Sequence, residues 1–188
     1  MVVFLDKVVV DQSAQREIVA ACLGKSIQHV SGNRSNMFWW LRGVAMNKVM
    51  VDTNVWVDVV LNRPQFAMQS RGALMACIQD DIELFVAATS LKDVFCFAEK
   101  SAGADAAYRA VELIMDIATL AQVDSIVCTQ ALRLECPDYE DGIVAACALA
   151  ENVQVIVSRD VQAFNDLEIR KLTPEALISE LGFEEISM

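Results

Sequence analysis

An α/β fold built on a short parallel sheet is what residues 48 onward predict, and two observations carry that prediction. Short apolar runs such as KVMV and VQVIV alternate with stretches of helical periodicity, the pattern of crossover units. The run Val49, Met50 and Val51 also lacks polar alternation, as a strand buried on both faces does.

Taken in order, the first strand is expected at 48 to 52, helices at 54 to 60 and 65 to 79, and a second strand at 82 to 87. Helices follow at 90 to 100, with Ser90 as its cap, and at 105 to 120, where Ala107, Ala110, Val111, Ile114, Ile117 and Ala118 keep helical spacing. A brief strand near Gln122 and Val123 precedes helices at 125 to 134 and 139 to 151, then the strand VQVIV at 153 to 157. A short strand at 169 to 172 leads to a last helix opened by Thr173 as cap and Pro174 as first residue. Residues 1 to 47 do not join this scheme: they offer one helix at 15 to 30, a polar break SGNRSN and the cluster MFWWL. The chain is therefore divided into an N-terminal extension, 1–46, and a single domain, 47–188, with residues 1 to 45 expected to be dispensable for fold and activity.

Composition limits the function. The 188 residues carry a net charge of −11, made of +3 over residues 1 to 48 and −14 over the rest. A body that acidic does not hold a polyanion by counterion release alone, so cations or a partner must bridge the charge if nucleic acid is the substrate. No apolar run approaches the roughly 20 residues of a membrane span, and the start MVVFLDKVVVDQ lacks a basic segment before a long apolar one, so a cytoplasmic protein is expected. Six cysteines form no C-x-x-C pair and read as small buried thiols.

Four acids stand at element ends. Asp52 and Asp160 each lie just past an apolar run, and in an open parallel sheet both strand ends face the ligand crevice. Asp141 opens a helix whose Gly142, Ala145, Ala146 and Ala148 would let it pack close to the sheet, and Asp93 is placed in the first turn of another. Singly, each is explained as a residue leaving a strand or as a first-turn acid complementing a helix dipole. Together they suggest a site, because clustered carboxylates repel and must protonate or bind a hard divalent ion. Among neighbours, Asp58 reads as a solvated face residue, Asp138 and Glu140 as cap and surface acids, and Trp56 as core; Arg159 either steadies a phosphate or pairs with nearby acids.

In order and spacing, VMVDTNVWVDVV, SLKDVFCFAEK, DYEDGIVAACALA and VIVSRDVQAF resemble the signature blocks of PIN-domain ribonucleases, and most of all the toxin-like, VapC-type branch. The resemblance spans about residues 47 to 183 and implies a three-layer α/β/α fold with a short parallel sheet. It implies that Asp52, Asp93, Asp141 and Asp160 are the catalytic acids, with Asp52, Asp141 and Asp160 on Mg²⁺ or Mn²⁺, and Thr53, Asn54, Ser158 and Arg159 around them. Asp93 stands where many members have Glu, Ser158 where they have Thr, and Ala163 where a second acid often precedes Phe164. The implied activity is two-metal hydrolysis of single-stranded RNA; the implied partners are a small antitoxin and a second copy of the chain, with helices 65 to 79 and 90 to 100 as candidate contacts. On this reading, replacing Asp52 or Asp141 by Asn abolishes cleavage and leaves the metal-free fold intact or more stable.

Two enzyme classes fit poorly. A phosphatase using an aspartyl nucleophile needs a second acid at position 54, which is Asn, and paired-histidine chemistry is excluded because His29 is the only histidine. The alternative that survives is a catalytically inactive PIN-like module that binds RNA or a partner protein.

Overall fold

The computed structural model describes residues 46 to 182 apart from 166, so the division at 46 and the expectations for the N-terminal segment lie outside the described residues. Five parallel strands form one sheet: β1 (Lys48–Val51), β2 (Glu83–Ala87), β3 (Thr119–Ala121), β4 (Val155–Val157) and β5 (Arg170–Leu172), in the order β3-β2-β1-β4-β5. The helices are α1 (Thr53–Val60), α2 (Ala67–Gln79), α3 (Ala88–Ala102), α4 (Ala104–Ile117), α5 (Ser125–Ala131), α6 (Tyr139–Ala150) and α7 (Pro174–Leu181). Strand β1 lies at the centre, with Met50 opposite Phe85 on one side and Ile156 on the other.

Because side chains alternate along a strand, Met50, Phe85, Ala87 and Ile156 share one face. They join Val127 and Ala131 of α5 and the run Ile143–Ala148 of α6 in a single core cluster, which also takes in Ala163 and Phe164. Val49, Val51, Leu84, Val86, Val155 and Val157 form the other face, also buried. Helix α2 meets that side, with α1 and α7 packed on α2, while α3 pairs with α4 and leans on α1. The result is the expected three-layer arrangement. Trp56 is core, 1% exposed, with its indole N–H donating to Val51 O at 3.1 Å.

Several boundaries differ from expectation for identifiable reasons. Helix α4 stops at Ile117 because Ala118 is extended (φ −130°, ψ 141°), and Thr119–Ala121 then pairs with Phe85–Ala87. Sequence periodicity runs through this junction without a breaker, so the predicted helix overran the strand and displaced it to Gln122 and Val123. Ser90 is not a cap: α3 begins at Ala88, directly from β2, with Ala87 in the capping position. Asp93 therefore lies in the second turn, beyond the exposed helix-start amides. Of the described cysteines, Cys77 and Cys147 are buried as expected, but Cys96 is exposed on α3.

Gly142 has a different partner from the sheet. A Cβ there would stand 2.8 Å from Ala131 O and 3.4 Å from Ala131 Cβ, so the missing side chain lets the start of α6 rest on the end of α5. Backbone cannot rotate away as a side chain would. Gly142→Ala is therefore expected to destabilise the fold by about 1 to 2 kcal/mol despite alanine's better helix propensity, measured by urea unfolding.

Candidate active site

The site sits where strand order reverses, between the C-terminal ends of β1 and β4, the usual crevice of an open parallel sheet. Asp52 ends the ladder, its N–H donating to Val157 O at 3.0 Å, and caps α1. Its side chain is nearly saturated: Oδ1 accepts from Thr53 N at 2.6 Å, and Oδ2 accepts from Ser158 Oγ at 2.6 Å and from Asn54 Nδ2. A carboxylate offers about four lone-pair positions, so roughly one remains, on Oδ1.

Ser158 is the hub. Fully buried, it donates to Asp52 and accepts from Asn54 Nδ2 at 3.1 Å and Asp160 N at 3.0 Å, which uses the whole capacity of a hydroxyl. Asn54 completes the link by accepting Arg159 N at 3.2 Å through Oδ1. The turn after β1 and the turn after β4 are thus one hydrogen-bonded unit. Thr53 adds a third element, donating from Oγ1 to Ser90 Oγ at 2.8 Å on α3.

The charges around this unit are crowded. Burial, with the charges of Glu140 and Asp160 adding to it against the Ser158 and Thr53 hydrogen bonds, pushes the Asp52 carboxyl up to about 6. Burial, then the charges of Asp138, Asp52, Asp160 and Glu140, pushes Asp141 up to about 7. Asp141 opens α6 beside its cap, Asp138, whose Oδ1 accepts Asp141 N at 2.9 Å. Asp160 behaves in the opposite sense. Its Oδ1 accepts from Ala163 N at 3.0 Å and Gln162 N at 2.7 Å, and these amides hold its carboxyl below the ordinary value.

Asp52, Asp141 and Asp160 are therefore brought within one another's fields. Asp93 is placed differently: it pairs with Lys92 at 2.8 Å, and its charge reaches the cluster at Glu140. Glu140, read from sequence as a surface acid, is exposed but crowded, its carboxyl raised by neighbouring atoms that displace water and then by Asp93 and Asp138. It also acts on both Asp52 and Asp141. No signal marked it beyond its place next to Asp141.

Asp58 and Arg159 need correction together. Asp58 is 0% exposed rather than solvated, because Arg159 reaches it from the turn after β4: Nη2 donates to Oδ1 at 2.9 Å and Nε lies 2.5 Å from Oδ2. Ser70 Oγ donates to Oδ2 at 3.0 Å, Arg63 Nη1 stands 3.4 Å from Oδ1, and the Arg159 guanidinium lies over the Phe66 ring at 4.0 Å. Of the two roles open to Arg159, pairing with an acid is the one this geometry uses.

The donor set suits a hard divalent cation. Two carboxyls raised by burial and mutual repulsion are stabilised as anions by such an ion, and all the ligating atoms would be oxygen. Among the described residues no three His, Cys, Asp or Glu side chains stand close enough, as placed, to hold a metal ion together. Mg²⁺ keeps several waters and needs few direct protein ligands, so an open set of carboxylates is compatible with it.

Residues 48–162 match the family profile described as PIN domain. The chain belongs to the PIN domain family. Among solved structures, this PIN domain is similar to a chain of VapBC2 from Rickettsia felis bound to a DNA fragment from their promoter, with a TM-score of 0.55 and 13% identity over 67% of this chain and 98% of that one. It is also similar to a chain of VapBC-1 from nontypeable Haemophilus influenzae, with a TM-score of 0.53 and 16% identity over 68% and 98% of the two chains. At these identities the likeness is one of fold. No curated protein matches the PIN domain's chain in sequence. No helix among its described residues is long and apolar enough to cross a membrane.

Proposed function

We propose that this PIN domain is a Mg²⁺- or Mn²⁺-dependent endoribonuclease that hydrolyses single-stranded RNA, and that it is the toxin of a type II toxin–antitoxin pair. The observation that carries the nuclease reading is the convergence of Asp52, Asp141 and Asp160, from three separate elements, on the crevice at the strand reversal. These three acids are the proposed ligands. When bound there, divalent ions supply an activated water and neutralise charge at the leaving oxygen.

The chain's own residues supply position. Ser158 fixes the Asp52 carboxylate from across the crevice and Asn54 from its own side, Asp138 sets the first turn that carries Asp141, and the amides of Gln162 and Ala163 hold Asp160. Arg159 keeps the turn after β4 against α1 through Asp58. Asp93 and Glu140 extend the negative rim and would act on the outer waters. A partner antitoxin is supported by the similarity to VapBC structures, and a homodimer by the resemblance to toxin-type PIN chains. Met68 on α2 and Phe97 on α3, 60% and 44% exposed, are apolar contacts such partners would cover.

Purified protein incubated with single-stranded RNA and Mg²⁺ or Mn²⁺ is expected to cleave it and leave 5′-phosphate and 3′-hydroxyl ends, with cleavage stopped by a chelator. Products ending in 2′,3′-cyclic phosphate would overturn the mechanism. The open placement of the acids favours one second reading, an inert module that binds RNA or a partner protein; RNA retained without cleavage under any divalent ion would select it.

A further inference from the structure

Lys171 lies on β5, opposite Ile156 of β4, outside every motif that points to the site. Its ammonium donates to three main-chain carbonyls of a single turn: Asp160 O at 2.9 Å, Val161 O at 3.0 Å and Ala163 O at 3.0 Å. Three N–H bonds meet three acceptors, which satisfies the group completely. The same turn is closed from its amide side by Asp160, whose Oδ1 takes Gln162 N and Ala163 N. Beyond it, Ala163 and Phe164 are buried in the core, Phe164 with φ 64°, while Val161 is 82% exposed at the tip.

Asn165 also braces the turn, its Nδ2 donating to Val161 O at 2.8 Å and Gln162 O at 3.2 Å, and Ser158 Oγ accepts Asp160 N at 3.0 Å. The Asp160 and Ala163 carbonyls converge on the Lys171 ammonium, and its removal would leave them to water. The neighbouring Arg170 does not serve it, since its guanidinium forms a two-bond pair with Glu180 of α7, at 3.1 and 2.7 Å.

The geometry points to Lys171 as a positioning residue of the candidate site: its ammonium gathers the carbonyls of residues 160, 161 and 163 and so fixes the backbone that aims Asp160 into the crevice. The inference rests on the reading of Asp160 as a metal ligand. Lys171 acts through the turn, with no contact to the reacting atoms required. One oxygen of Asp160 is committed to the turn's amides, so the direction of the other is set by the turn as a whole.

The test uses the full chain with Lys171→Met, and Arg170→Met as a control that removes a neighbouring charge without touching the turn. Amide hydrogen exchange at Gln162 and Ala163 is expected to rise about tenfold in Lys171→Met while the amides of β4 keep their protection. Mn²⁺ affinity, measured by calorimetry, is expected to fall about tenfold, in the range usual for loss of a residue that orients a ligand. Arg170→Met should change neither. Unchanged exchange, or faster exchange with Mn²⁺ affinity within about twofold of wild type, overturns the positioning role. If the wild-type chain binds no Mn²⁺, the metal reading itself fails, and the exchange data alone then decide whether Lys171 holds the turn. Should Lys171→Met not fold, Lys171→Arg retains the charge but its planar fork cannot meet three carbonyls at once, so an intermediate loosening of the turn is expected and wild-type protection overturns the inference.

Discussion

Asp58→Ala is expected to lower the unfolding free energy by about 3 to 5 kcal/mol, the cost of leaving one partner of a buried ion pair without the other. The Arg159 side chain is 21% exposed and loses both of its close oxygen contacts, while Ser70, itself fully buried, loses the acceptor of its hydroxyl. For a chain of this size the melting midpoint should fall by roughly 10 °C. Stacking on Phe66 and the nearness of Arg63 do not compensate: the first gives about 1 to 2 kcal/mol, and the second adds a like charge once the acid is gone. A paired replacement, Asp58→Leu with Arg159→Met, should recover most of the loss, because apolar groups of similar volume stabilise such a position as well as the ion pair does. A single Asp58→Ala variant that melts within about 2 °C of wild type would show that water reaches the pair and screens it.

Asp141→Asn is expected to separate activity from stability. Cleavage should fall at least a hundredfold, on the order of 3 kcal/mol at the transition state, because a proposed metal ligand is lost. Without metal the same variant should melt higher than wild type, because it removes a carboxyl held up to about 7 by burial and four neighbouring acids, and no side-chain hydrogen bond is lost with it. The pH dependence has a definite sign. Asp52 and Asp141 titrate in the folded chain at about 6 and about 7, above the ordinary 3.8, so the folded state binds more protons than the unfolded one between those values. Chelator-treated wild type should therefore gain stability as pH falls from 8 to 5, by roughly 3 to 6 °C once solvent screening of the half-buried Asp141 has cut the full linkage effect by about half, and lose it as pH rises through 6 and 7. Asp160, shifted downward, adds its opposite contribution only below about 4, outside that window. In Asp141→Asn the gain should shrink; a gain as large as in wild type would mean that Asp141 is not the crowded acid.

Asp52→Asn is not equivalent, although the two motifs look alike in sequence. The new amide would turn an N–H₂ toward donors on Ser158 and Asn54 or toward Thr53 N, leaving buried groups unmatched at about 1 to 3 kcal/mol. This variant should lose activity and stability together. Part of the difference lies in Ser158, a hydrogen-bond partner 106 residues away that the local sequence does not carry.

Much of the architecture was legible because it is written in local patterns. The apolar runs of β1 and β4, the helical spacing of α4 and the Thr173–Pro174 start of α7 each declare themselves within a few residues. The junction of α4 and β3 did not, since Ala118, Thr119 and Leu120 suit either state and pairing with β2 decides it. Asp52, Asp141 and Asp160 stood out by their positions at element ends. Asp58 did not, because its four-residue neighbourhood suggests a solvated helix face, whereas the charge that buries it comes from position 159. Lys171 was invisible for a different reason: its partners are main-chain carbonyls, which every residue has.

The central pairing of Val49–Val51 with Val155–Val157 also sets a schedule for the chain as it is made. Ser158, which orients Asp52, follows it by 106 residues, and closing a loop of that length costs on the order of 4 kcal/mol of chain entropy before any contact repays it. Helices and the β1–β2 pair can assemble on the ribosome while the acids remain apart. A nascent or prematurely ended chain that stops short of β4 therefore carries Asp52 and Asp141 without the serine that joins the two halves of the crevice. On the proposed reading, the crevice is complete only once β4 has paired with β1 and Ser158 has reached Asp52, so cleavage would wait for that single pairing step.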